Sequence, residues 1–134
     1  MKGVYVLVIE VSKNVDLVVG SLGTIRFLRG LYAYVGSAQN GLENRIERHL
    51  SDEKKIFWHV DYLLDCANVV KVFYREGPKS YECAIARRLC ETASDVAGFG
   101  CSDCRCGAHL FRISGIETVM DLGMEEFCVQ GKSI

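Results

Sequence analysis

The sequence predicts a single α/β domain of the α+β type, in which helices flank a small, mainly antiparallel sheet. Runs of β-branched residues separated by glycine-containing turns fill the first 35 residues, and this pattern is typical of antiparallel strands. Two amphipathic segments follow with the apolar spacing of helices. The chain has 134 residues, 49% of them hydrophobic, which is enough for one core. Without a linker or internal repeat, residues 1–134 are expected to form one domain.

The predicted strands follow the β-branched and aromatic runs. They cover residues 4–11, 17–19, 24–28, 31–35, 69–74 and 110–113. Because turns separate the first four, we expect them to form an antiparallel meander. Side chains alternate along a strand, so Tyr32 and Tyr34 should share one face, and Tyr5 should point away from Val4 and Val6.

The first predicted helix, residues 42–50, carries two polar residues within its apolar stripe. The i, i+3, i+4, i+7, i+8 positions of that stripe are Leu42, Arg45, Ile46, His49 and Leu50. Arg45 and His49 lie one turn apart and can act on one ligand. Alternatively, they flank the stripe and extend their polar heads into water.

Three further helices are predicted, at residues 59–67, at residues 81–93 and in a short segment from Ile116. Ser80 is the expected N-cap of the second of these. Glu82 opens its apolar stripe, although a carboxylate in the first turn also suits the helix dipole. Cys66, Cys83 and Cys90 fall in helical patterns and are predicted to be buried.

Charge and cysteine content narrow the class of protein. A net charge of −1 argues against a general nucleic-acid coat but permits a local basic cleft. No apolar run is long enough to span a bilayer, and MKGVYVLVIEV is a poor signal peptide, so no membrane partner is expected. Seven cysteines without a secretory signal indicate a reducing compartment, and we expect a cytoplasmic protein.

The polar residues in these stripes and strands suit phosphodiester hydrolysis. The set comprises Tyr5, Tyr34, Arg45, His49 and Glu82. It offers a proton acceptor, a phosphate-binding cation and a metal-binding carboxylate.

The same residues resemble the motifs of the GIY-YIG nuclease superfamily. Gly3-Val4-Tyr5 and Tyr34-Val35-Gly36 match its two tripeptides, and Ser37-Ala38 extends the second. Arg45, His49 and Glu82 follow in the family's order, so the resemblance covers roughly residues 3–95. The stretches YVGSA, RHL, WHVDYLL, EC and GFGCSDCRCGAHLF make the whole chain similar to a small, largely archaeal branch, sometimes fused to endonuclease III.

This resemblance implies a small central antiparallel sheet and a metal-dependent DNA endonuclease, with a DNA-repair glycosylase as a further partner. Tyr5 would activate or position the attacking water, with His49 as a rival or relay base. Arg45 would hold the scissile phosphate, and Tyr34 would orient the water or the phosphate. Glu82 would bind Mg²⁺ or Mn²⁺, which prefer oxygen ligands. Ser37, Arg48 and His59 are the expected substrate-binding residues.

A cysteine-rich loop at about residues 98–109 offers a second candidate metal site. Cys101, Cys104, Cys106 and His109 have the spacing C-x2-C-x-C-x2-H, and thiolates with imidazole suit Zn²⁺. Zinc sites usually draw on two separated segments, so a tight loop with reduced thiols is the alternative. A third possibility is that Ser102, Asp103 and His109 border the active cleft.

Two other interpretations stay open from the residues alone. His59 and Asp61 begin a predicted helix, where they could contact substrate or simply favour the helix N-terminus. The chain as a whole could be a nucleic-acid-binding module that does not cut, or an interaction domain stabilised by zinc.

Overall fold

A computed structural model describes residues 1–51, 58–96, 98–99 and 108–128. Within these ranges the strands are β1 (Gly3–Val11), β2 (Val15–Val18), β3 (Thr24–Phe27), β4 (Gly30–Ala38), β5 (Asn68–Glu76), β6 (Ser94–Asp95), β7 (Leu110–Ile113) and β8 (Glu125–Glu126). The α-helices are α1 (Leu42–Leu50), α2 (His59–Leu64), α3 (Ser80–Cys90) and α4 (Glu117–Met120). The predicted mixed class with an antiparallel sheet is confirmed.

The main sheet has six strands in the order β6-β7-β4-β1-β5-β8, and every pairing is antiparallel. Strand β1 lies between its two longest neighbours, pairing with β4 from Gly3↔Ala38 to Val11↔Gly30 and with β5 on the other side. Its residues are buried on both faces except Glu10, as a central strand requires.

Two apolar layers cover the two faces of this sheet. Helices α1 and α2 pack with Tyr5, Leu7 and Ile9 on one face. Helices α3 and α4 pack with the alternating residues Val4, Val6 and Val8 on the other. The strand alternation therefore places Tyr5 and Tyr34 on the α1 side, and the predicted separation of Tyr5 from Val4 and Val6 is confirmed.

The predicted meander is wrong in its pairing. Strands β2 and β3 form a separate two-stranded sheet, and β1 pairs with β4 across the hairpin. The reason is burial: β2 and most of β3 are half-buried or exposed, whereas β1 and β4 present long apolar faces that favour each other.

Helix boundaries also differ from the prediction, in α2 and in α3, which covers Ser80–Cys90 rather than residues 81–93. Helix α3 starts at Ser80 itself, with Lys79 as its N-cap, because the carbonyl oxygen of Pro78 already accepts the first bond from the Tyr81 amide at 3.1 Å. Helix α2 ends at Leu64, so Cys66 lies beyond it and is exposed. Cys90 is exposed and Cys83 half-buried, so the prediction of buried thiols is wrong.

None of the helices in the described part of the chain is long and apolar enough to cross a membrane.

The ring of Tyr5 crosses the strand next to its own at Gly36. These two residues are direct partners in the β1–β4 ladder, and Tyr5 is 1% exposed. A Cβ atom on Gly36 would overlap Cζ and Oη of Tyr5, so the absence of a side chain at this position lets the ring reach α1.

We expect Gly36→Ala to lower the free energy of unfolding by about 1–3 kcal/mol, because the added methyl group overpacks a buried contact. Urea denaturation of the purified protein measures this loss. A double-mutant cycle with Tyr5→Leu is the control, since removing the ring tip should recover part of the loss. A Gly36→Ala protein as stable as wild type would contradict the contact.

Candidate functional site

A hydrogen bond between Tyr5 and His49 joins the central strand to α1. Tyr5 Oη lies 2.7 Å from His49 Nε2, and the two side chains are 1% and 2% exposed. Helix α1 carries His49 on the stripe of Leu42 and Ile46, so the packing of those residues aims the imidazole at the sheet.

Asp61 is the buried carboxylate beneath this pair. It is 1% exposed, and its Oδ1 lies 4.0 Å from His49 Nδ1. Arg48 donates to both carboxylate oxygens at 3.1 Å, and the backbone amide of Trp58 donates to Oδ2 at 2.9 Å. One carboxylate thus fixes α1 to the start of α2 and faces the second nitrogen of His49.

Arg45 stands at the half-buried rim of the site. Its Nη1 donates to the Ser37 carbonyl oxygen at 3.1 Å, which ties α1 to the end of β4. Its guanidinium lies 4.4 Å from the centre of the Trp58 ring, and that of Arg48 lies 4.3 Å from the same ring. Trp58 therefore positions both cations by cation–π contact.

Tyr34 lies beside the pair and connects it to a further group of rings. Its ring centre is 6.4 Å from that of Tyr5 and 6.2 Å from that of His49. The Phe99 ring centre lies 6.2 Å from that of Tyr34 and 5.6 Å from that of His59. His59 is therefore one ring removed from Tyr34.

Glu82 approaches the site from α3, on the opposite layer. Its Oε1 lies 3.7 Å from Nδ1 of His109, which directly precedes β7, and both side chains are buried. Cys83 joins them, since one ligand atom from each of the three residues lies within 4.8 Å of the others. The remaining predicted zinc ligands, Cys101, Cys104 and Cys106, fall outside the described residues, as do Ser102 and Asp103.

The charge of Glu82 contributes to the raised pKa values of two buried phenols, Tyr5 and Tyr34. Burial raises the pKa of Tyr5, with the charge and hydrogen bond of Arg45 opposing it and the charges of Glu82 and Asp61 adding to it. Burial also raises the pKa of Tyr34 well above its usual value, with added contributions from Tyr5, Glu82 and Asp61. Both phenols hold their protons at neutral pH, so Tyr5 Oη can donate to His49 Nε2 whenever that nitrogen carries no proton.

The structure brings four sequence-predicted residues into one cluster and sets Glu82 within electrostatic reach of it. Tyr5, Tyr34, Arg45 and His49 lie around the end of the β1–β4 pair. From the sequence, the role of Asp61 stayed open between substrate contact and the helix N-terminus, and Trp58 was not among the predicted site residues. The signal for Asp61 was its place three residues after Trp58, the N-cap of α2, where its carboxylate can accept from the Trp58 amide.

Above about pH 10, we expect the free energy of unfolding to fall with pH. The unfolded phenols ionise there while folded Tyr5 and Tyr34 keep their protons, so the unfolded state binds fewer protons and stability drops by up to about 1.4 kcal/mol per pH unit for each phenol. Urea denaturation at several alkaline pH values measures the slope. The Tyr5→Phe/Tyr34→Phe double variant should show a shallower slope than Tyr81→Phe, and equal slopes would contradict the assignment.

Comparison with known families gives one match. The model of the family described as "Domain of unknown function DUF123" matches residues 4–128, which is most of the chain and spans every residue of the site described above. Searches of curated proteins and of solved structures found no match. On the strength of the family match, the chain belongs to the DUF123 family.

Proposed function

We propose that this protein is a DNA endonuclease of the GIY-YIG type, which hydrolyses phosphodiester bonds in DNA repair. The observation that carries the proposal is the line of side chains from Asp61 through His49 to Tyr5, with Arg45 beside it. Such a line joins a proton acceptor to a phosphate-binding cation, and hydrolysis of a phosphodiester needs both.

His49 supports the proton-transfer step. Tyr5 stays protonated at neutral pH and is a poor base by itself. In the proposed step the attacking water gives a proton to Tyr5 Oη while the Tyr5 proton passes to His49 Nε2. The water oxygen bonds to phosphorus, the bond to the leaving oxygen breaks, and that oxygen takes a proton from solvent. The Asp61 carboxylate stabilises the imidazolium so formed.

Arg45 supports phosphate binding at the rim. Its guanidinium is half-buried and is held by the Ser37 carbonyl oxygen and the Trp58 face, a geometry that leaves further N–H donors on the fork. Arg48 has a different role, because both its bonds to Asp61 use its guanidinium to orient the carboxylate. We therefore propose Arg45 as the cation that binds the phosphate and Arg48 as a positioning residue.

The donor atoms around Glu82 determine which metal ion could bind there. A carboxylate with substrate phosphate oxygens suits Mg²⁺ or Mn²⁺, and a divalent ion bound there would offset charge on the phosphate. However, the neighbouring thiol of Cys83 and imidazole of His109 are ligands that these ions seldom use. The donor set therefore fits the expected ions poorly, and no proton-transfer step above depends on them.

A nucleic-acid-binding module that does not cut is the second candidate. Burial favours it, because Tyr5, Tyr34, His49 and Glu82 are each at most 6% exposed, which restricts access of substrate and water. Binding would then depend on salt concentration, and no metal ion would yield a cleaved product. The DNA-repair glycosylase expected as a partner rests on the sequence resemblance.

Cleavage of branched, damaged or single-stranded DNA tests the proposal, with Mg²⁺, Mn²⁺ and Zn²⁺ each supplied in turn. We expect Arg45→Ala to lose about 100-fold or more in cleavage rate, because the developing charge on the phosphate loses its main donor. When cleavage is measured with the metal ion that supports it, Glu82→Gln should lose a comparable factor in rate.

Two matched variants control for general effects of lost charge. Arg87→Ala and Glu47→Gln remove exposed charges from α3 and α1, and each should cleave within about twofold of wild type. Equal cleavage by Arg45→Ala, Glu82→Gln and wild type would reveal a contaminating nuclease and reject the assignment of the site.

A further inference from the structure

Three different donor types meet where α3 begins and β7 is about to start. Glu82 and Cys83 lie in the first turn of α3, and His109 directly precedes Leu110, the first residue of β7. Their ligand atoms all lie within 4.8 Å of one another, and the Glu82 oxygen is 3.7 Å from the His109 nitrogen. Glu82 is 6% exposed, His109 is 2% exposed and Cys83 is half-buried, so the cluster faces the interior with one open side.

The backbone holds His109 firmly in this position. Its amide donates to the Phe99 carbonyl oxygen at 2.8 Å, and its carbonyl oxygen accepts from the Val35 amide at 2.9 Å. The backbone of His109 is therefore tied to β4, while the other two donors lie on a helix that packs on the same sheet. A site supported by regular elements on both sides is one that a metal ion can use without large rearrangement.

The spacing and chemistry of these donors fit a transition metal. Around a tetrahedral zinc ion, bonds of about 2.3 Å to sulfur and about 2.0–2.2 Å to nitrogen or oxygen place two ligand atoms about 3.4–3.6 Å apart. The Glu82 oxygen and the His109 nitrogen, 3.7 Å apart, are already close to this separation. The Cys83 sulfur lies within 4.8 Å of both and would have to move by at most about 1 Å, which is within reach of a side-chain rotation. Thiolate and imidazole favour zinc and similar ions over magnesium.

We propose that Glu82, Cys83 and His109 form a three-ligand site for a borderline-soft divalent ion, of which Zn²⁺ is the best fit. Three protein ligands leave a position for water or a phosphate oxygen, which is the pattern of catalytic rather than structural zinc. The site shares Glu82 with the proposed nuclease centre, but it stands on this cluster alone and does not depend on DNA cleavage. It differs from the zinc site predicted from the sequence, because His109 is used with Glu82 and Cys83.

Titration of the full-length protein with Co²⁺ tests the proposal. Cobalt bound to a thiolate gives a charge-transfer band in the near ultraviolet, and this band identifies sulfur ligation. Wild type should bind one equivalent of Co²⁺ at the cluster, and this ion should give the band. Cys83→Ser should lose that equivalent. Cys90→Ser is the matched control, because Cys90 lies in the same helix, is exposed and should leave the band unchanged.

A second variant distinguishes metal binding at this site from metal binding at the cysteine-rich loop. In the triple variant Cys101→Ser/Cys104→Ser/Cys106→Ser, the equivalent that depends on Cys83 should persist. As an independent readout, Zn²⁺ should raise the thermal unfolding midpoint of wild type, and His109→Gln should lose most of that increase.

An unchanged cobalt band in Cys83→Ser would overturn the proposal, as would its complete loss in the folded triple variant. Equal stabilisation of wild type and His109→Gln by zinc would overturn it as well. These measurements contain no DNA, so a protein that binds cobalt through Cys83 but never cleaves supports this site while rejecting the nuclease. The reverse result, cleavage that needs Arg45 with no role for Cys83, separates the two proposals equally well.

Discussion

The passage of the Tyr5 ring over Gly36 is the constraint on which the rest of the site depends. It places a phenol from the central strand against α1, where Oη meets His49 Nε2 at 2.7 Å. His49 in turn lies beside Tyr34 and faces Asp61, so this contact connects the sheet to the rest of the cluster. A side chain at position 36 would displace the ring and separate the sheet from the helix at this point.

Asp61 gives the cluster its electrostatic balance. A carboxylate that is 1% exposed needs compensation, and it receives two bonds from Arg48 and one from a backbone amide. The same group faces His49, and its charge adds to the rise that burial causes in the pKa of both phenols. Trp58 completes the arrangement by lying against both Arg45 and Arg48, so the cations near the site are held by contacts that need no bound ligand.

Local patterns in the sequence were sufficient for the parts of the fold that pack by themselves. Helix α1 keeps its predicted bounds because its apolar stripe is complete within residues 42–50. The strands of the β2–β3 hairpin were predicted, but their separation from the main sheet was not. The two-residue strands β6 and β8 were missed, because such short pairings depend on neighbours distant in the sequence. From the sequence, His109 was among the residues that could border the active cleft, but its contact with Glu82 and Cys83 depends on the tertiary packing that brings the residue before β7 next to α3.

The most direct test of the central claim is a crystal structure of the Glu82→Gln variant bound to a short DNA oligonucleotide. Our account predicts a backbone phosphate within hydrogen-bonding distance of the Arg45 guanidinium, on the side that faces Tyr5 and Tyr34, with Arg48 still bound to Asp61. A phosphate bound elsewhere, for example along the exposed arginines of α3, with Arg45 still turned to the Ser37 carbonyl oxygen, would contradict it.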